Sequence, residues 1–141
     1  MSMSVNDRVK VLIEEFNQIS DWEGRYKNII QRGKQLAPMN EDKKIDQNLV
    51  KGCQSKVWFH AEMKEGKIYF QGDSDAAIVK GIVALLLTIY SESSPDDILN
   101  TKPDFLDEIG LKEHLSMSRA NGLSSMLKQI SLYAIVFKSQ S

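Results

Sequence analysis

The chain has 141 residues, enough for one domain with its own core. It is 42% hydrophobic and 26% charged, which excludes a disordered chain. Its 18 Lys and Arg against 19 Asp and Glu leave a formal net charge of −1, which excludes a general nucleic-acid binder built on a basic face.

Membrane insertion is not expected either. The longest apolar run, Ile82 to Leu87, is far short of the roughly 20 residues a spanning helix needs. The opening Met1-Ser2-Met3-Ser4-Val5-Asn6-Asp7-Arg8 lacks the apolar centre of a signal peptide. The single cysteine, Cys53, excludes an internal disulfide and a cysteine-rich structural zinc site. Together these features point to a reducing, cytoplasmic compartment.

Ser4 precedes a helical pattern in which Val5, Val9, Leu12, Ile13 and Phe16 recur on one face, ending near Ile19. Ser20 and Glu23 have the spacing of a capping box for a second helix, with Trp22, Tyr26, Ile29 and Ile30 as its inner stripe and Pro38 as its stop. The short link predicts an antiparallel helical pair. Met39 to Gln47 reads as a surface loop and Asn48-Leu49-Val50 as a short strand broken by Gly52.

From Lys56 the period becomes two. Val57, Phe59, Ala61 and Met63 share one face, and Lys56, Trp58, His60 and Glu62 the other. Lys64-Glu65-Gly66-Lys67 reads as the turn of a hairpin whose returning strand is Ile68 to Gln71. Gly72-Asp73-Ser74-Asp75 offers N-caps for a helix from Ala76 to Tyr90, which is apolar nearly all round and so lies in the middle of the domain. Ser94-Pro95-Asp96-Asp97 starts a further helix. Pro103 opens a short one carrying Phe105, Leu106 and Ile109, and Gly110 caps its end. The last helix runs from about Ser118 to Phe137 with Leu123, Met126, Leu127, Ile130, Ala134 and Phe137 as its stripe. Helices flanking a small antiparallel sheet of about three strands make an α+β fold, with 1–141 as a single domain.

Chemistry concentrates around Cys53. It sits at a Gly-marked break in a polar stretch, Lys51-Gly52-Cys53-Gln54-Ser55, where a thiol can reach a partner and Lys51 would favour the thiolate. An inert, partly buried thiol is the competing reading. His60 and His114 match no zinc-ligand spacing with Cys53, and no local signature marks a Cys–His hydrolase. Asp73 and Asp75 read as helix caps or as an acidic docking patch. Gly122, early in the last helix, costs about 1 kcal/mol relative to Ala there, a cost that close approach of another backbone such as the cysteine loop would justify. Arg119 sits in the first turn of the same helix, where the dipole does not favour a cation, so it is a candidate partner for a thiolate or an acid.

Three blocks carry a family resemblance: Asn48-Leu49-Val50-Lys51-Gly52-Cys53-Gln54-Ser55-Lys56-Val57-Trp58, Gly72-Asp73-Ser74-Asp75-Ala76-Ala77-Ile78-Val79-Lys80-Gly81, and His114-Leu115-Ser116-Met117-Ser118-Arg119-Ala120-Asn121-Gly122-Leu123. With Trp22-Glu23-Gly24-Arg25-Tyr26, they make the chain resemble the SufE family of sulfur acceptors, which includes CsdE, from about Val5 to Phe137. Met117 departs from the proline often found in relatives.

The resemblance implies a fold like the IscU scaffold. It also implies a partner, a PLP-dependent cysteine desulfurase of the SufS or CsdA type that holds sulfur as a persulfide. The thiol matching Cys53 would take that sulfur, stimulate the desulfurase and pass the sulfur to iron–sulfur cluster assembly. No cofactor and no metal are implied on this chain beyond a transient persulfide on Cys53. Lys51, Gly52, Gln54 and Arg119 would support the thiol, Asp73 and Asp75 would face the docking partner, and the free chain would be a monomer. In the family the cysteine sits at a loop tip that tucks toward an apolar cavity and swings out on docking. Rival readings are a cluster scaffold, which normally needs about three thiol ligands, a cysteine hydrolase or redox enzyme, and an adaptor that docks the desulfurase without using its thiol.

Overall fold

A computed structural model describes residues 3–140. Two helices come first, α1 (Val5–Asn17) and α2 (Trp22–Gln35). A hairpin follows, β1 (Val57–Lys64) with β2 (Lys67–Ser74). Five helices complete the chain: α3 (Ala77–Tyr90), α4 (Pro95–Asn100), α5 (Phe105–Glu108), α6 (Leu111–His114) and α7 (Met117–Gln140). The fold is α+β with a two-stranded antiparallel sheet.

The expected third strand is not formed. Asp46–Asn48 is a 3-10 turn, and the Leu49 N–H is already donated back to the Asp46 carbonyl at 3.1 Å. Only an isolated bridge, Leu49 with Trp58, and the Val50 N–H to Val57 carbonyl bond at 2.8 Å reach the hairpin. The preceding loop carries a second 3-10 turn, Glu41–Lys43, and buries Met39 to 4% exposure, so it is not wholly a surface segment.

The hairpin turns on Glu65 and Gly66, at φ +50° and +80°, the left-handed pair that a tight two-residue turn needs. Register pairs Phe59 with Gly72 and Val57 with Ser74, extending β2 beyond the expected Gln71. Val57, Phe59, Ile68 and Phe70 are buried, whereas Ala61 and Met63, near the turn, are only half-buried.

Helix starts follow local chemistry with two corrections. Ser4 and Ser94 cap α1 and α4 as expected, each accepting an N–H three residues on at 3.1 Å. The cap of α2 is Asp21 rather than Ser20: its Oδ1 accepts the Gly24 N–H at 3.2 Å. Helix α3 has no side-chain cap, because Asp73 and Ser74 belong to the end of β2. Helix α2 stops at Gln35, ahead of Pro38, and α7 begins one residue earlier than expected, at Met117. The single-turn α6 was not anticipated; Gly110, at φ +81°, ends α5 and leads into it.

Helix α3 is the hub of the core, with Ile82, Val83, Leu85, Leu86 and Ile89 fully buried. Carbonyls at and just past its C-terminus are gathered by Arg8 of α1, whose guanidinium donates to Ile89 at 3.0 Å, to Ser91, and to Glu92 at 3.2 Å. On its other side α2 crosses so closely that a Cβ on Gly81 would stand 2.1 Å from the Ile29 carbonyl oxygen. Helix α7 packs Leu123, Met126, Ile130 and Ala134 inward and ties to β1 through the Tyr133 hydroxyl, which donates to the Phe59 carbonyl at 3.2 Å.

Candidate functional site

The segment from Lys51 to Lys56 is a loop closed at its base by two links. One is the Val50 to Val57 bond; the other is Asp75, whose Oδ1 accepts the Lys56 N–H at 3.0 Å while its own N–H donates to the Lys56 carbonyl at 3.3 Å. Asp75 is therefore a clasp on the cysteine loop, although its side chain stays exposed. Within the loop Gly52 takes φ +91°, a conformation that favours glycine, and a Cβ there would lie 2.5 Å from Ser125 Oγ of α7, so that hydroxyl would have to turn aside.

This turn lays Cys53 against α7. The Sγ–H donates to the Gly122 carbonyl at 3.6 Å, and a Cβ on Gly122 would stand 3.5 Å from the sulfur. The close approach inferred for Gly122 is thus to the cysteine itself. A cavity of about 110 Å³ opens beside the thiol. Its apolar wall is Val79 and Ile82 of α3 with Met126 of α7, and its polar wall is Gln54, Ser55, Ser118 and Arg119.

Burial pushes the Cys53 thiol above its ordinary range. Lys51 does not counter this: it is exposed and lines a groove other than the thiol cavity. Arg119 does line the thiol cavity, from the first turn of α7, and no carboxylate among the described residues forms a salt bridge with it.

Asp73 is buried and paired rather than held out as an exposed acid. It is 8% exposed, bound to Lys44 at 2.8 Å and Lys80 at 3.4 Å, and it accepts the Ser74 N–H at 2.7 Å. Burial alone would raise its carboxyl, but Lys44, the Ser74 N–H and Lys80 hold it below the usual range. Its role is to anchor the loop before the hairpin to α3.

The two histidines are engaged elsewhere. His60 pairs with Glu62 at 3.2 Å, and His114 stacks on Trp22 with ring centroids 4.4 Å apart. Neither supplies Cys53 with a base. Among the described residues no three His, Cys, Asp or Glu side chains gather as a metal site, and no helix is long and apolar enough to cross a membrane.

The sequence does not mark Val79, Ile82, Ser118 or Met126 as residues of the site. Helix α3 is apolar on every side, so periodicity cannot tell which of its residues line a cavity. Removing the Asp75 clasp should loosen the loop without unfolding the core. Asp75→Ala is expected to lose about 1 kcal/mol of loop closure, so roughly a five-fold faster Cys53 alkylation, discounted for solvent at this exposed bond. Alkylation unchanged from wild type would show that the clasp does not hold the loop.

The comparisons with known proteins agree with this layout. The family model described as SufE, the Fe-S metabolism associated domain, matches residues 10–134. A Synechocystis protein described as an uncharacterized SufE-like protein is 41% identical over 127 residues, covering 90% of this chain and 80% of its own. The solution structure of a hypothetical protein from Thermus thermophilus superposes with a TM-score of 0.75 at 23% identity, over 90% of this chain and 93% of that one, and so shares the fold.

Proposed function

The chain belongs to the SufE family, associated with Fe–S metabolism, and on that footing we propose that it is a sulfur carrier whose acceptor is Cys53. The observation that carries the reading is a lone thiol on a clasped loop, seated over a cavity that its own fold keeps open.

The donor is a PLP-dependent cysteine desulfurase of the SufS or CsdA type, carrying sulfur as a persulfide. With the loop swung out, the Cys53 thiolate attacks the terminal sulfur of that persulfide. A new S–S bond forms on Cys53 as the donor S–S bond breaks, and the donor cysteine leaves as a thiolate and recovers a proton. Taking the sulfur clears the donor for its next cycle, which is how the carrier stimulates it. The sulfur then passes to an acceptor in cluster assembly. The chain turns over nothing alone and needs no cofactor of its own.

The cavity suits the loaded state, because about 110 Å³ exceeds the space of a single water-sized group and leaves room for a second sulfur beside Sγ. Its apolar wall limits reduction and oxidation of a persulfide. Arg119 at the rim offers a cation to the anionic sulfur. Cluster scaffolding is disfavoured, since one cysteine is far from the usual set of thiolate ligands.

The test combines a SufS-type desulfurase, L-cysteine and this chain, with intact mass and sulfide release read together. Added sulfur on wild type, none on Cys53→Ser, and stimulation lost with the thiol are the expected results. Stimulation that survives in Cys53→Ser would make the chain a thiol-independent adaptor, and sulfur taken up by Cys53→Ser would remove Cys53 as acceptor.

A further inference from the structure

The cysteine loop borders a second hollow. Distinct from the thiol cavity, the segment from Gln47 to Gly52 and one flank of α7 line a larger open groove of about 600 Å³. Leu49 and Val50 line one wall, and Ser125, Lys128 and Leu132 line the other. The groove meets the loop at Gly52, the residue next to Cys53.

Its floor continues into an uncovered apolar stripe. Leu132, Ile135 and Val136 are 47%, 52% and 47% exposed. They fall at i, i+3 and i+4, so they share one face of α7. The N-terminal half of this helix buries its stripe against the core, whereas this part of its C-terminal half faces outward.

The charge at the groove has one sign. Lys51 and Lys128 line it, no acidic residue does, and no carboxylate among the described residues forms a salt bridge with either lysine. On a chain with a net charge of −1 this is a local feature. A symmetric second copy is a poor occupant, since a two-fold contact centred here would set like charges against each other.

We propose that this groove docks an acidic segment of the sulfur donor, with an apolar side chain anchored on Leu132 and carboxylates on Lys51 and Lys128. The inference rests on the carrier reading above and adds where the donor is held. An occupant seated there borders Gly52, so it holds the donor beside the loop that must open and bears on the Gly52–Ser125 contact. Docking and thiol release are then neighbouring events on one helix.

The test titrates wild type, Lys128→Glu and Leu132→Glu into a SufS-type desulfurase with L-cysteine. The readout is the carrier concentration giving half-maximal sulfide release, at low and high salt. Each variant is expected to need about ten-fold more carrier, and Lys128→Glu to lose most of the salt dependence of wild type. Circular dichroism and the rate of Cys53 alkylation by iodoacetamide serve as controls, and both should match wild type because neither residue lines the thiol cavity. Half-maximal concentrations equal to wild type, with sulfur still loaded on Cys53, would overturn the docking site and leave the carrier reading standing. Sedimentation showing a wild-type dimer that Leu132→Glu dissociates would assign the groove to a second copy and overturn it too. Failure of wild type to take up sulfur at all would bring down both.

Discussion

Gly81→Ala is expected to lower the thermal unfolding midpoint by on the order of 10 °C, as the glycine where an added methyl would meet its neighbours most closely. The reason is where α2 and α3 cross. A Cβ on Gly81 would lie 2.1 Å from the Ile29 carbonyl oxygen and 2.7 Å from the carbonyl carbon. These are backbone atoms of a helix, so no rotamer change can relieve the overlap. Gly33 answers from the other side, where a Cβ would lie 2.7 Å from the Gly81 nitrogen. The two helices must separate, and each carries buried residues that then lose contact, Ile29 on α2 and Ile82 and Leu85 on α3.

Overpacking of this kind costs about 1–3 kcal/mol, and the upper end applies where backbone must move. Set against a domain stability of roughly 5–15 kcal/mol, that is a large fraction. Thermal denaturation followed by circular dichroism reads it directly. A midpoint within a degree or two of wild type would mean that the two helices are not held as closely as the structure has them. The same α3 supplies Val79 and Ile82 to the thiol cavity, so the variant should also expose Cys53 to alkylation before it unfolds globally.

What could be read from the sequence was what local chemistry decides. The Ser94-Pro95 start, the Glu65-Gly66 turn and the Gly110 stop each need only a few neighbouring residues, and each stands where it was expected. Cys53, Gly52 and Gly122 stood out because each is locally costly or locally out of place, and the structure brings the three together at the thiol seat. The third strand failed because its hydrogen bonds were spent locally, in the Asp46–Asn48 turn, before a non-local pairing could use them.

Asp73 and Asp75 show the same divide. Both are acids before a helix, and capping was the natural expectation. Asp73 instead meets Lys44, which the chain brings in from the loop ahead of the hairpin, and Asp75 holds Lys56 across the base of the cysteine loop. Which acid is buried and which is exposed depends on the register of β2, where Asp73 stands opposite Trp58. No spacing within the block encodes that. Lys51 follows the same logic: two residues from Cys53 in sequence, it lines a groove other than the thiol cavity.

The thiol itself should report its seat through pH. At rest Cys53 is partly buried and donates to the Gly122 carbonyl, an arrangement that only the neutral thiol satisfies. A thiolate there would lose water on one side and face a carbonyl oxygen on the other. Burial accordingly pushes the thiol up. A group whose folded pKa is raised gives its full stabilisation below its unfolded pKa and loses it as pH climbs through the folded value. The closed loop is therefore firm at neutral and acidic pH, and opening is favoured as pH rises beyond the ordinary thiol range. Iodoacetamide alkylation of Cys53, followed against pH, should give a midpoint above that of the urea-unfolded chain and, at neutral pH, a rate slower by about ten-fold. Gly122→Leu supplies the contrast. Its side chain starts at the 3.5 Å contact with Sγ and extends into the space the thiol needs, so the loop must stand open. That variant's midpoint should fall back to the unfolded value and its rate should rise to match. Identical profiles for folded wild type, unfolded chain and Gly122→Leu would mean that the thiol is already free in solution, and the resting seat against α7 would have no part in guarding the sulfur.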